Sequence, residues 1–114
     1  MVSGKAGEDA AAEALLRAGY TVMERNVRTP FGEIDLLARQ GGCLCFVEVK
    51  ARSGKGFGHP AEAVTPVKQA HLRKSAAFLL QRERWDEACR FDVVAVTRGP
   101  DGRLTAEILP DAFQ

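Results

Sequence analysis

Cysteine is scarce in this sequence and follows no recognised pattern. Cys43, Cys45 and Cys89 are odd in number and form no C-x-x-C pair. A zinc ribbon and a disulfide framework are therefore excluded, and the three thiols fit small buried residues in a reducing compartment. Long apolar runs are missing too. A stretch such as Ala76 to Leu80 is far too short to span a bilayer, and the N-terminus has no apolar run of signal-peptide length. The glycine-rich segment Ser53-Gly54-Lys55-Gly56-Phe57-Gly58-His59-Pro60 lacks G-x-x-x-x-G-K-[ST], so a nucleotide triphosphatase loop is excluded. There is no internal repeat and no low-complexity linker. The expectation is one soluble, cytoplasmic domain over residues 1–114, with no membrane partner and enough chain for a single core.

Overall charge is also small, at +1, but its distribution is uneven. Residues 50–84 carry Lys50, Arg52, Lys55, Lys68, Arg73, Lys74, Arg82 and Arg84 against Glu62 and Glu83, a net of +6. Residues 1–49 come to −2 and residues 85–114 to −3. A basic middle beside acidic flanks suits a polyanion whose phosphates the cations offset. A helix with a solvated polar face is the structural alternative.

Hydrophobic periodicity divides the chain into seven elements in the order αβββαββ. Residues 4–18 read as a helix with the inward stripe Ala11, Ala12, Leu15, Ala18. Glu8 falls on that stripe and is a candidate functional acid, unless it is merely a first-turn residue favoured by the helix dipole. Strands are predicted over 20–26, 32–39 and 43–51. Thr65-Pro66 opens a second helix running to about Arg84, with threonine as N-cap and proline at N1. Its core face is Leu72, Ala76, Leu79 and Leu80. A second stripe, Val67, Phe78 and Trp85, serves either a partner or the C-terminal strand. Strands from Arg90 to Arg98 and Leu104 to Leu109 complete the order. A helical crossover between the third and fourth strands makes them parallel, giving a mixed sheet with helices packed on it, an α/β domain.

The charges that stand out are those embedded in apolar strands: Glu33 and Asp35, then Glu48 and Lys50. Such groups are costly there unless paired or bound to a metal. Gly41-Gly42 reads as a two-residue hairpin loop. With Gln40 and Cys43 flanking it, Asp35 faces Glu48 and Glu33 faces Lys50, with Cβ atoms roughly 4.5–5.5 Å apart. Leu37 and Phe46 continue that row, while Ile34, Leu36 and Ala38 share the other face with Cys45, Val47 and Val49. Adjacent carboxylates raise one another's pKa. A divalent cation removes the conflict, and Mg²⁺ suits a site of one or two carboxylates that keeps waters for a phosphate. A one-residue slip would send Asp35 to the wrong face. A surface hairpin with an ordinary Glu33–Lys50 ion pair is the alternative. Arg52, Lys55 and Lys68, the last at a helix N-terminus, are the expected nucleic-acid contacts.

The set Gly4-x-x-Gly7-Glu8, Asn26-x-Arg28, Gly32-Glu33-Ile34-Asp35-Leu36-Leu37-Ala38, Phe46-Val47-Glu48-Val49-Lys50-x-Arg52, Phe57-Gly58, Lys68 and Arg90-Phe91-Asp92-Val93-Val94 resembles the bacterial YraN-type family over nearly the whole chain. More widely, the element order with its D…ExK pattern resembles the restriction-endonuclease-like superfamily, in its Holliday-junction-resolvase-like branch. Ile34 stands where that superfamily often has proline. The resemblance implies a restriction-endonuclease-like mixed sheet flanked by helices and a Mg²⁺-dependent endonuclease, with Mn²⁺ as a substitute, acting on structured or branched nucleic acid, DNA first. By position, Asp35 and Glu48 would ligate the metal with the Val49 carbonyl as third ligand. Lys50 would orient water and stabilise developing charge, and Glu8 would complete the catalytic acids. The competing reading is a non-catalytic nucleic-acid-binding or assembly protein that retains the nuclease fold, and a weaker one is a structural interaction module. Two symmetric cuts in a branched junction would need two sites, hence a homodimer.

Overall fold

In a computed structural model, residues 4–52 and 63–114 are described. Helix α1 (Gly4–Arg17) precedes three strands, β1 (Thr21–Thr29), β2 (Gly32–Gln40) and β3 (Cys43–Arg52). Helix α2 (Pro66–Arg82) then leads to β4 (Cys89–Arg98) and β5 (Leu104–Phe113). The strands form one sheet in the order β1-β2-β3-β4-β5, antiparallel throughout except for the parallel pair β3–β4. The expected α/β architecture and element order are those observed. No helix among the described residues is long and apolar enough to cross a membrane.

Each helix covers one face of the sheet. Ala11 and Leu15 of α1 pack with Tyr20, Leu36, Ala38, Cys45, Val47, Val94 and Val96. Leu72, Ala76 and Leu79 of α2 pack with Val27, Ile34, Leu37, Leu44, Phe46 and Val93. Helix α1 ends at Arg17, leaving Ala18 exposed outside the stripe assigned to it. The start of α2 follows its sequence signals: the Thr65 hydroxyl accepts from the Lys68 N–H at 3.2 Å, and Pro66 occupies the first turn. The second apolar stripe on α2 is not continuous. Trp85 packs against the core, donates from Nε1 to the Ala88 carbonyl and stacks under the Arg39 guanidinium, while Val67 and Phe78 stay exposed.

Gly41-Gly42 is the two-residue loop expected. Gln40 pairs with Cys43, and Gly41 takes a φ of 59°, a conformation open to glycine without steric cost. The ladder keeps that register to Leu36–Val47 and then stops. Neither expected pair, Asp35–Glu48 or Glu33–Lys50, belongs to it: the two strands part here, with Glu33 still opposite Arg28 on β1 and Lys50 beside Ala95 on β4. Strand alternation also breaks at Asp35. Ile34 joins the α2-side core with Leu37, whereas Leu36 lies on the α1 side, so the shared face expected for Ile34, Leu36 and Ala38 is not kept. Asn26, between the β1 partners of Leu36 and Ile34, has a φ of 54°, an irregularity that accompanies this switch.

The last strand runs past Pro110, beyond its expected end at Leu109. Phe91 pairs with Phe113 and Val93 with Leu109, so β5 bulges around Pro110 and Asp111, where a missing proline N–H breaks no ladder bond. The freed Asp111 N–H donates to Asp92 at 2.9 Å. Asp92 is fully buried and also accepts from Tyr20 Oη at 2.9 Å and Arg90 Nε at 2.9 Å, while Arg90 Nη2 reaches Gln40. Burial and the adjacent Asp92 push the Tyr20 phenol up to about 12. Removing the carboxylate would leave a guanidinium, a phenol and an amide without their acceptor. Asp92→Ala is accordingly expected to destabilise the protein by about 3 kcal/mol, read from urea unfolding midpoints, while a surface control such as Glu13→Ala changes stability by less than about 0.5 kcal/mol.

Candidate active site

The site forms where the β2–β3 ladder opens. Beyond Leu36–Val47, β3 pairs with β4 and β2 with β1, so Asp35 and Glu48 flank the point at which the two strands cease to bond each other. Asp35 bridges that opening with its side chain: its Oδ2 accepts from the Val49 N–H at 2.9 Å. A carboxylate thus takes the place of a backbone carbonyl, which fixes its orientation and satisfies a donor left by the parting strands.

A cavity of about 290 Å³ lies against this opening. Asp35, Glu48 and Val49 line it from the hairpin, Ala51 and Val96 from the neighbouring strands, and Gly4, Gly7 and Glu8 from α1. Because Gly4 and Gly7 carry no side chains, the helix presents backbone to the cavity, with the Glu8 carboxylate as its charged group. Glu8 is already engaged: it accepts from Asn26 Nδ2 at 3.1 Å and lies 3.8 Å from Arg25 Nη2. Among the described residues no three His, Cys, Asp or Glu side chains draw close enough to hold a metal ion. The acids that act on one another here are a pair, Asp35 and Glu48.

Glu48 is the unusual member. It is only 5% exposed, Lys68 Nζ lies 3.3 Å from Oε1, and Oε2 is buried with no hydrogen-bond partner. Burial first, and the Asp35 carboxylate second, push its carboxyl up to about 8, with Lys68 opposing the shift. An unsatisfied buried carboxylate oxygen is expensive. Two carboxylates, one with a spare buried oxygen, at a water-accessible cavity match the modest protein ligand set with which Mg²⁺ is content, so the residues fit that ion.

A sequence profile described as "Uncharacterised protein family UPF0102" matches residues 7–96. The chain belongs to this family. Curated UPF0102 proteins similar to it include that of Symbiobacterium thermophilum, 52% identical over 111 residues that cover 96% of this chain and 94% of the relative. The protein of Syntrophus aciditrophicus is 47% identical over 113 residues, covering 98% and 88%. That of Shewanella amazonensis is 47% identical over 97 residues, covering 85% and 90%. The matched span of the family takes in Glu8, Asp35, Glu48 and Lys68 together.

The remaining residues singled out in the sequence are dispersed. Lys50 is exposed and lies outside the cavity lining, although alternation sends its side chain toward the same face as Glu48. Arg52 ties β3 to its neighbours through Glu107 at 2.6 Å and Thr97 at 3.3 Å, so its charge is already paired. Lys55 lies outside the described residues. Lys68, expected on a phosphate, places its Nζ 3.3 Å from Glu48 Oε1 from the first turn of α2. Sequence reasoning missed the hold of Arg25 and Asn26 on Glu8. Asn26 stands in a strand yet is a poor strand former, and that was the signal available.

A raised carboxyl has a sign in stability. The folded value of about 8 for Glu48 exceeds the roughly 4.3 of an unfolded glutamate, so the group favours the fold most at low pH and this contribution is lost as pH rises through about 8. In metal-free buffer, Glu48→Gln is expected to gain stability over the wild type between pH 5 and pH 9, on the order of 3 kcal/mol. Paired urea titrations check this, and parallel pH profiles for the two proteins would contradict it.

Proposed function

We propose that the protein is a Mg²⁺-dependent endonuclease that hydrolyses phosphodiester bonds in structured or branched nucleic acid, DNA in the first instance. The observation that carries this reading is the buried Glu48 carboxylate, with one unpartnered oxygen, beside Asp35 on the wall of an open cavity. Its placement on a D…ExK hairpin within a mixed sheet supports assignment to the restriction-endonuclease-like superfamily. Mn²⁺ would substitute for Mg²⁺, since both favour oxygen ligands.

Asp35 and Glu48 would hold the ion. The Val49 N–H keeps Asp35 turned toward the cavity, and the packed strand holds Glu48. A bound ion would supply Lewis-acid chemistry for the phosphate and for water activation. Lys50, leaving β3 on the Glu48 side, stabilises negative charge developing on the phosphate. Lys68 offsets the Glu48 charge and would meet an incoming phosphate beside it. Glu8, oriented by Asn26 and Arg25, stands as a base on the opposite wall. Paired cuts in a branched substrate would require a homodimer.

One observation favours a second reading. Lys68 pairs with Glu48, and Arg25 and Asn26 hold Glu8, so two of the three acids already have partners within the fold. A non-catalytic nucleic-acid-binding or assembly protein would keep that arrangement.

Cleavage of four-way junctions, duplexes and single strands in Mg²⁺, Mn²⁺ or Ca²⁺ separates the two. Mg²⁺ and Mn²⁺ are expected to support cutting and Ca²⁺ to support binding alone. Asp35→Asn should lower the rate by about 100-fold or more while the far-ultraviolet circular dichroism is unchanged. Mg²⁺ should also raise the melting temperature of the wild type and leave that of Asp35→Asn unmoved. Tight nucleic-acid binding with no cutting in any metal would establish the second reading.

A further inference from the structure

A second cavity, of about 240 Å³, lies between the β1–β2 turn and the start of α2, and Lys68 belongs to its wall as well as to the Glu48 ion pair. Its apolar surfaces are unusual for their exposure. Phe31 at the turn is 47% exposed and Val67 on α2 is 69% exposed, and both line this cavity. Its polar groups are of both kinds. Lys68 and His71 stand on the α2 side, and Glu33 on the β2 side.

The turn that carries Phe31 is fixed to the helix. Thr29 Oγ1 accepts from the Phe31 N–H at 3.1 Å and donates to the Gly32 carbonyl at 3.0 Å. With its proton so used, the 2.7 Å contact to the buried Ser75 Oγ has Ser75 as donor. An exposed aromatic ring is thereby held on a braced turn, facing a helix whose first-turn lysine reaches the acidic site. This is a preformed recess with few convergent polar groups, the usual character of a ligand site.

We infer that this recess receives an unpaired nucleobase of the nucleic acid whose backbone passes the Asp35–Glu48 site. The inference rests on the nuclease reading for the path of that backbone. Phe31 supplies the stacking surface, and Val67 closes the apolar side. Lys68, on the wall of the recess with its Nζ 3.3 Å from Glu48 Oε1, meets the phosphate between the stacked base and the acids. Glu33, which finds no lysine across the hairpin, is an acceptor suited to the exocyclic amino group of cytosine or adenine and unsuited to the keto edge of thymine. The recess therefore selects substrates with unpaired bases beside the cut, which a continuous duplex does not offer.

The test uses Ca²⁺ in place of Mg²⁺, so that binding is supported and no cleavage intervenes. Fluorescence anisotropy compares a blunt duplex with the same duplex carrying a two-nucleotide unpaired tail, ending in cytosine or in thymine. The wild type is expected to bind the cytosine-tailed duplex about 5- to 100-fold more tightly than the blunt one, the range of one base stacked on an aromatic ring. Phe31→Ala should bring the two affinities together and Phe31→Trp should keep them apart. Glu33→Gln should erase the preference for cytosine over thymine. With 2-aminopurine as the unpaired base, its fluorescence should be quenched by the wild type and not by Phe31→Ala. A tail preference that survives Phe31→Ala, or a wild type that binds both duplexes alike, overturns the recess and leaves the metal-dependent reading standing. A wild type that binds neither duplex removes both.

Discussion

Where β2 and β3 stop bonding each other, two acidic residues are left beside groups a sheet would normally satisfy, and the rest of the site follows from that opening. Asp35 answers it by bonding the Val49 N–H. Glu48, one residue earlier on β3, is left buried with a free oxygen. Both strands continue as strands because each has a second neighbour, β1 on one side and β4 on the other. A sheet with only β2 and β3 would fray at this point. Within five strands the parting becomes a fixed wedge, rigid enough to hold carboxylates at a constant separation.

Charges around the wedge are arranged so that burial is tolerated. Lys68 comes from α2 on one face of the sheet and Glu8 from α1 on the other, with Arg25 and Asn26 of β1 holding Glu8. The site thus draws on both helical layers, which explains why it lies at the one place where the side-chain alternation of β2 changes face. A Glu48 carboxyl pushed up to about 8 is the electrostatic mark of incomplete compensation. Groups perturbed by burial and a like-charged neighbour within a cleft are characteristic of functional sites.

The other conspicuous buried acid shows the contrast. Asp92 is more deeply buried than Glu48, yet Arg90, Tyr20 and the Asp111 amide satisfy it. It binds β4 to the β5 bulge and to the segment following α1, which anchors the sheet at its far side. Two acids of similar burial in one small domain therefore have different consequences. The fully bonded one is structural, and the one with a spare oxygen faces a cavity.

Much of the architecture was legible in the sequence because local chemistry specified it. Gly41-Gly42 set the hairpin register, Thr65-Pro66 set the start of α2, and a helical crossover forced β3 and β4 to be parallel. The acids could be placed near each other from that register alone. What could not be read were consequences of neighbours distant in the chain. The face switch at Asp35 coincides with the irregular backbone of Asn26 in another strand, and past Pro110 the freed Asp111 amide of β5 is met by Asp92. Lys50 lost its expected partner because β2 and β3 part before reaching it, and Trp85 left its stripe because α2 ends at Arg82. The Lys68–Glu48 pair was likewise out of reach, since it forms only when a helix some twenty residues away packs onto the opening. The sequence by itself determined the elements and their pairing, since turn, cap and alternation are short-range. Only the tertiary structure decided which charges are satisfied, because burial and partnership depend on every layer that packs against a group.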